Sequence, residues 1–388
     1  MPTVYVDVKP EMIRWVLQQV PEEKFGEKWM EKMTHWLNGT KSPTFHQIED
    51  LSRKTSIPLG YFFLQTPPVE QIALLEYRTV NSMQLTNPSR DLMDTIHEMM
   101  RVQDWMKEYR QELGFEQLPV VGCMNGVSVT RDIVEKIRKD LDLSLTWYES
   151  CNDIRTAFGL IRSRLEECGV VVMMNGIVGK NTHRQLDVDE FRAFAMVDEW
   201  APLIFINAVD SHSAKLFSLL HEVAHIWLGE HDLFNDRSNS TDGVRRTEVI
   251  CNAVAGELLV PTDVFLCKWE EGCINEDVFT KITEIAGCFR CGEIVVARKA
   301  LDCKKITQDI YQRIVQTEIE RYNLAREKKT HGGNYYHTMG TRLDRCLVRA
   351  LCESIHMGRT SYTEAYQLTN TSHKTFSDVV RHLGGVEW

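Results

Sequence analysis

The chain has 388 residues, 43% of them apolar and 26% charged, the proportions of an ordinary globular protein with room for two or three cores. Its formal net charge of -10 excludes a protein that coats nucleic acid over its whole surface, but not a small DNA-reading element. No apolar run approaches the roughly 18 residues of a membrane-spanning helix, no secretory signal is expected, and eleven scattered cysteines are expected as reduced thiols in a cytoplasmic protein with no membrane partner.

Residues 1–68 are expected to form a helix-turn-helix-like domain. Met12, Ile13, Trp15, Val16 and Val20 have helical spacing, as do Trp29, Met33, Trp36 and Leu37. Asn38-Gly39 ends the second helix, and Thr44 to Gln47 opens a third that carries Ile48 and Leu51. To DNA or to a protein partner that helix would offer Gln47, Arg53 and Lys54. Residues 22–54 hold six basic and six acidic side chains, however, whereas phosphate binding needs an excess of basic ones.

Residues 69–130 read as a helical connector with an apolar stripe of Met93, Ile96, Met99, Met100, Val102 and Trp105. The texture changes over 131–310. Ile154, Phe158, Ile161 and Leu165 mark an amphipathic helix, and Val170 to Met174 is a buried-strand run. Phe194 to Val197 and Leu203 to Ile206 predict two more strands joined by a turn over 198–202. The small sheet, with a helix on each side in sequence, gives an α+β domain. Beyond Pro261 the pattern is helical, and the charged stretch from Glu318 to Asn334 reads as a linker. Residues 311–388 form a helical C-terminal region, with short helices expected around Tyr362–Leu368 and Lys374–Leu383. His373, Lys374, Arg381 and His382 there are a second, weaker candidate for DNA contact.

The chemistry concentrates at His221-Glu222-Val223-Ala224-His225. Two histidines four apart on a helix face the same way and can converge on one ion. Glu222 is offset by about 100°, well placed to act as a base on water beside the metal. This His-Glu-x-x-His pattern suits a zinc hydrolase of the zincin kind. One Zn2+ per chain is expected, although two histidines and a carboxylate accept other divalent metals. Two residues compete for the third ligand. His231 lies ten residues after His221, the metzincin spacing, but Leu228 stands where those enzymes need glycine, and the next methionine is Met339. Glu248 opens a second helical pattern with Asn252, Ala255 and Leu259, and could meet the metal from there. The Cys288-Phe289-Arg290-Cys291 pair has the spacing of half a zinc knuckle but lacks a suitably spaced second pair.

These segments carry a resemblance. Phe191 to Ala195, Pro202 to Asn207, Phe217 to Gly229, and Glu248 with Cys251 to Ala255 and Glu257 to Pro261 resemble the ImmA/IrrE group of bacterial and phage metallopeptidases, in the long form with an N-terminal helix-turn-helix. The resemblance is strong over residues 150–300 and weaker over 30–68 and 335–384. It implies a zincin-like metallopeptidase domain over 131–310, flanked by mainly helical N- and C-terminal regions. It implies His221, His225 and Glu248 as zinc ligands and Glu222 as general base. Ser218 stands where the family usually has threonine. Members are associated with cutting helix-turn-helix repressors, which derepresses mobile-element or stress genes; others sit beside toxin genes. A repressor substrate, a toxin partner and DNA are therefore the candidate partners. A non-proteolytic antitoxin or regulator, using the metal domain as scaffold or sensor, is the alternative. The strand Leu203–Asn207, with Ile204, Phe205, Ile206 and Asn207, is expected at a sheet edge where it could hold an extended substrate. His231 is also a candidate for stabilising the oxyanion.

Overall fold

The computed structural model describes residues 3–20, 25–68, 76–78, 88–229, 241–271, 277–328 and 342–384. The chain divides into two compact units, residues 1–73 with 84–96, and residues 74–83 with 97–388.

In the first unit the apolar spacing produces three helices, α1 (Pro10–Gln19), α2 (Glu27–Leu37) and α3 (Phe45–Thr55). α3 starts where the sequence predicts because its first turn is capped reciprocally. The Gln47 amide donates to Thr44 Oγ1 at 3.2 Å, and the Thr44 amide donates to Gln47 Oε1 at 2.9 Å. Met12, Ile13, Val16, Met33, Ile48, Leu51 and Phe62 close the core beneath these helices.

The second unit is α+β and mostly helical. Its strands are β1 (Glu76–Arg78), β2 (Val171–Asn175), β3 (Ala193–Met196) and β4 (Leu203–Asn207), in the order β1-β3-β4-β2. β3 runs antiparallel to β1 and β4, whereas β2 pairs parallel to β4. Two expectations are corrected here. Leu203–Asn207 is an interior strand, because β3 and β2 take its two edges, and all five of its residues are buried. The stretch expected as an all-helical connector also supplies an edge strand, β1, before α4 (Arg90–Glu112).

Further helices cover the sheet. α5 (Thr130–Asp140) and α6 (Ile154–Glu167) precede β2, and α7 (His212–Leu228) and α8 (Thr241–Leu259) follow β4. α9 (Thr262–Glu271), α10 (Val278–Phe289), α11 (Glu293–Asp302) and α12 (Gln308–Lys328) complete the middle of the chain. The expected linker is corrected in part: Glu318 to Lys328 continues α12. Glu318, Glu320 and Arg321 lie on its solvated face, where Arg321 pairs with Glu318 at 2.6 Å and stands 3.4 Å from Glu293.

Three α-helices, α13 (Arg345–His356), α14 (Tyr362–Thr369) and α15 (His373–Val379), and a π-helical turn over Val380–Gly384 end the described chain. Asp344 fastens α13 to the sheet. Its fully buried carboxylate accepts from the Leu347 amide at 2.9 Å, capping α13, and from the Val172 amide on β2 at 2.9 Å. Burial pushes this carboxyl up, as it does the Glu166 carboxyl, against the pull of Arg162. Arg162 adds bonds to Leu343 O at 2.6 Å and Val172 O at 2.9 Å.

Candidate metal centre

α7 is apolar around most of its circumference and packs on β3, β4, α5, α6 and α8, as a helix in the middle of a core must. Its buried polar residues Lys215, Ser218, His221, Glu222 and His225 fall on one side of the helix as a stripe, within about 120° of one another. Both ends of the helix are fixed. Ser211 Oγ accepts from the Ala214 amide at 3.2 Å, and Gly229 ends the helix in the left-handed region at φ 64°. The loop around Gly122 then closes the last turn. The Gly122 amide donates to Ile226 O at 3.0 Å and the Met124 amide to Trp227 O at 2.9 Å. Trp227 Nε1 adds a bond of 2.8 Å to Asp140 on α5.

On this stripe His221 is 0% exposed, Glu222 1% and His225 2%. α8 brings Glu248 against them. His221 Nε2 lies 3.1 Å from His225 Nε2 and 3.4 Å from Glu248 Oε2, and His225 Nε2 lies 3.3 Å from Glu248 Oε1. Three ligands at tetrahedral zinc, each about 2.0–2.1 Å from the ion, stand about 3.3 Å apart. The residues present therefore fit the metal in both donor type and spacing. Burial opposes ionisation of Glu248, but the hydrogen bonds and charge of the two histidines outweigh it and hold the carboxyl well below its usual range. Among the described residues, these three are the group that can hold a metal ion.

The other expected site residues are placed elsewhere or not described. His231 lies outside the described residues. Ile204, Phe205 and Ile206 are core side chains of β4. Asn207 is fully buried and structures the turn into α7, donating to Phe191 O at 3.1 Å and accepting from the Val209 amide at 3.1 Å. In the first unit Gln47 is engaged in its helix cap, and Arg53 stands 2.6 Å from Glu49 and 3.7 Å from Asp50. Lys54 is exposed. Cys291 is buried and Cys288 exposed, and neither joins a metal-binding group among the described residues. The reading by residues gave no role to Asn252, one turn beyond Glu248. Its Oδ1 and Ser218 Oγ are shielded from solvent with no hydrogen-bond partner among the described residues, and the available signal was the four-residue spacing from Glu248. A surface hollow of about 780 Å³ lined by Arg138, Trp147 and Arg164 includes none of the ligands; ligand geometry, not cavity size, locates the chemistry.

Residues 165–300 match the family model of the IrrE N-terminal-like domain, Peptidase M78. The match supports the ImmA/IrrE family. It implies peptidase activity and a metal, and the matched span contains His221, Glu222, His225 and Glu248. Residues 343–382 match a second model, a domain of unknown function. No curated protein and no solved structure matches the chain. No single described helix is long and apolar enough to cross a membrane.

Proposed function

We propose that the protein is a zinc-dependent endopeptidase that cleaves a partner regulatory protein, a repressor of the helix-turn-helix type, and so controls mobile-element, toxin–antitoxin or stress genes. The observation that carries the peptidase reading is the near-tetrahedral spacing of His221, His225 and Glu248 beside a buried Glu222. The repressor substrate rests on the resemblance to metallopeptidases that cut such proteins.

A zinc ion held by these ligands supplies Lewis acidity toward a peptide carbonyl and toward water. Glu222, next to a ligand on the same helix, takes the proton from the attacking water and returns it to the leaving amine. His221, His225 and Glu248 hold their positions because α7 is capped at both ends and α8 packs along it. An extended substrate would pair with an edge of the sheet, and β1 is the candidate, because Asp344 and Arg162 take up the outward amide and carbonyl of Val172 on β2.

The test is Glu222→Gln, which keeps the metal ligands and removes the base. Mass spectrometry of a candidate repressor incubated with the purified protein reads the cut. The substitution is expected to leave metal content unchanged and to lower cleavage about 10²- to 10⁴-fold. Derepression that persists in cells carrying Glu222→Gln would overturn the peptidase reading in favour of a non-proteolytic regulator.

A further inference from the structure

Four residues along a helix return to nearly the same face, about 6 Å further on and turned by about 40°. On α8 that relation joins Glu248, Asn252 and Gly256. The row runs along the boundary between the buried side of the helix, made by Cys251, Val254, Ala255, Leu258 and Leu259, and the exposed Val249 and Ala253. Asn252 and Gly256 are both half-buried. The metal centre opens toward this boundary: the side chains of His221 and His225 are 0% and 2% exposed, whereas that of Glu248 is 20% exposed. The row therefore leads outward from the one ligand that reaches solvent.

Both residues beyond Glu248 carry a cost that the described structure does not offset. Asparagine is a poor residue for a helix interior. Its Oδ1 is shielded from solvent without a hydrogen-bond partner, and its side-chain nitrogen makes no hydrogen bond among the described residues. A sheltered amide left unpaired is unfavourable and calls for an explanation. Glycine inside a helix is destabilising relative to alanine. At Gly256 nothing described lies within 4 Å of the Cβ it lacks, so close packing does not require it.

Together the two residues make an open strip, an unengaged amide one turn from a metal ligand followed by bare backbone. From Glu248 to Gly256 it is about 12 Å long, the length of three or four extended residues at about 3.3 Å each. We propose that this strip of α8 binds the main chain of the peptide substrate. The Asn252 side chain donates a hydrogen bond to one of its backbone carbonyls, and Gly256 keeps the strip clear so that the chain can lie close to the helix. The proposal rests on the reading of His221, His225 and Glu248 as a peptidase metal site, and adds a substrate contact on the helix that supplies the third ligand. A contact to main chain leaves sequence preference to other parts of the protein.

The experiment measures hydroxamate binding to the full-length, zinc-loaded protein by isothermal titration calorimetry, and needs no identified substrate. Acetohydroxamate reaches the metal alone. Two longer probes carry an alanine tripeptide away from the metal in opposite directions: acetyl-trialanine hydroxamate, and trialanine amide capped at its N-terminus by the monohydroxamate of succinic acid. In the wild type at least one longer probe is expected to bind more tightly than acetohydroxamate. Asn252→Ala should weaken that probe about 2- to 12-fold, the range of one neutral hydrogen bond, and leave acetohydroxamate binding and zinc content unchanged. Gly256→Leu should remove the added affinity while raising the denaturation midpoint, because leucine is the better helix former; its loss of binding is then not a loss of fold. Longer probes that gain nothing over acetohydroxamate in the wild type overturn the proposal, as does undiminished binding of the tighter probe by either variant. Equal weakening of acetohydroxamate by Asn252→Ala, or loss of zinc, also overturns it and makes Asn252 a support of the ligands. A wild type that binds neither zinc nor acetohydroxamate fails the peptidase reading itself, and this proposal with it.

Discussion

Gly229→Ala is the substitution that most directly tests how α7 is held. Two separate costs apply. At φ 64° any residue with a Cβ is strained by about 1–2 kcal/mol. In addition, a Cβ at Gly229 would overlap Gly122 Cα and stand 3.0 Å from Gly122 N, and backbone atoms cannot rotate aside as a side-chain tip can. Relief requires the loop to shift, at about 1–3 kcal/mol for overpacking, and puts at risk the bonds from Gly122 and Met124 to the last carbonyls of α7. The expected loss is about 2–5 kcal/mol in total. Gly114→Ala is the internal control: Gly114 also has positive φ, at 72°, but nothing lies within 4 Å of an added Cβ, so it should lose only about 1–2 kcal/mol. Urea denaturation followed by tryptophan fluorescence measures both variants. Because His225 lies one turn before Gly229, metal content should fall in Gly229→Ala and not in Gly114→Ala. Equal destabilisation of the two variants would refute the argument that the close approach to Gly122 holds the helix end.

Metal analysis of purified Glu248→Ala beside His231→Ala should show loss of the metal in the first and retention in the second; the reverse result would make His231 the third ligand. Asp344→Ala removes the cap of α13 and strands the buried Val172 amide, at a cost of about 2–4 kcal/mol, read as a lowered denaturation midpoint. Glu257 accepts from the Thr262 amide at 2.8 Å and bonds Lys299 at 2.5 Å. Burial raises its carboxyl, but the bonds to Lys299 and Thr262 outweigh that and hold it below the ordinary value of 4.5. A carboxyl lowered by folding contributes stability that is present above its unfolded value and lost as pH falls through the folded one. Glu257→Gln should therefore lower stability at neutral pH and flatten the acid side of the stability profile below about pH 4.5.

What was legible in the sequence follows from the range of the interactions involved. Helical spacing places His221 and His225 on one stripe because that relation is local, and the apolar runs locate β2, β3 and β4 for the same reason. The order of strands is not local. The parallel pairing of β2 with β4 depends on a crossover of about thirty residues with β3 inserted beside it, and it converts the expected edge strand into an interior one. Glu76-Tyr77-Arg78 is too short and too polar to show strand alternation, so β1 becomes visible only when β3 supplies its partner. In α12 the charge of Glu318 to Lys328 resembles that of a linker, although on the exposed helix Glu318 and Arg321 pair one turn apart. The link from Arg162 and Val172 to Leu343 and Asp344 spans more than 170 positions and leaves no periodic trace.

Burial also explains why the candidate metal ligands are already gathered. α7 cannot turn its polar stripe toward solvent, because the sheet and α5 and α6 occupy its other sides. Buried imidazole and carboxylate groups without partners are expensive, so the stripe needs a polar partner on α8, and Glu248 supplies it. The histidines in turn keep that carboxyl ionised, the state in which it can bind a cation. Each ligand thus satisfies part of another's desolvation cost, and little movement is needed to reach tetrahedral spacing. Glu222 sits on the same helix, so the caps around α7 that fix the candidate ligands also fix the residue proposed as the base.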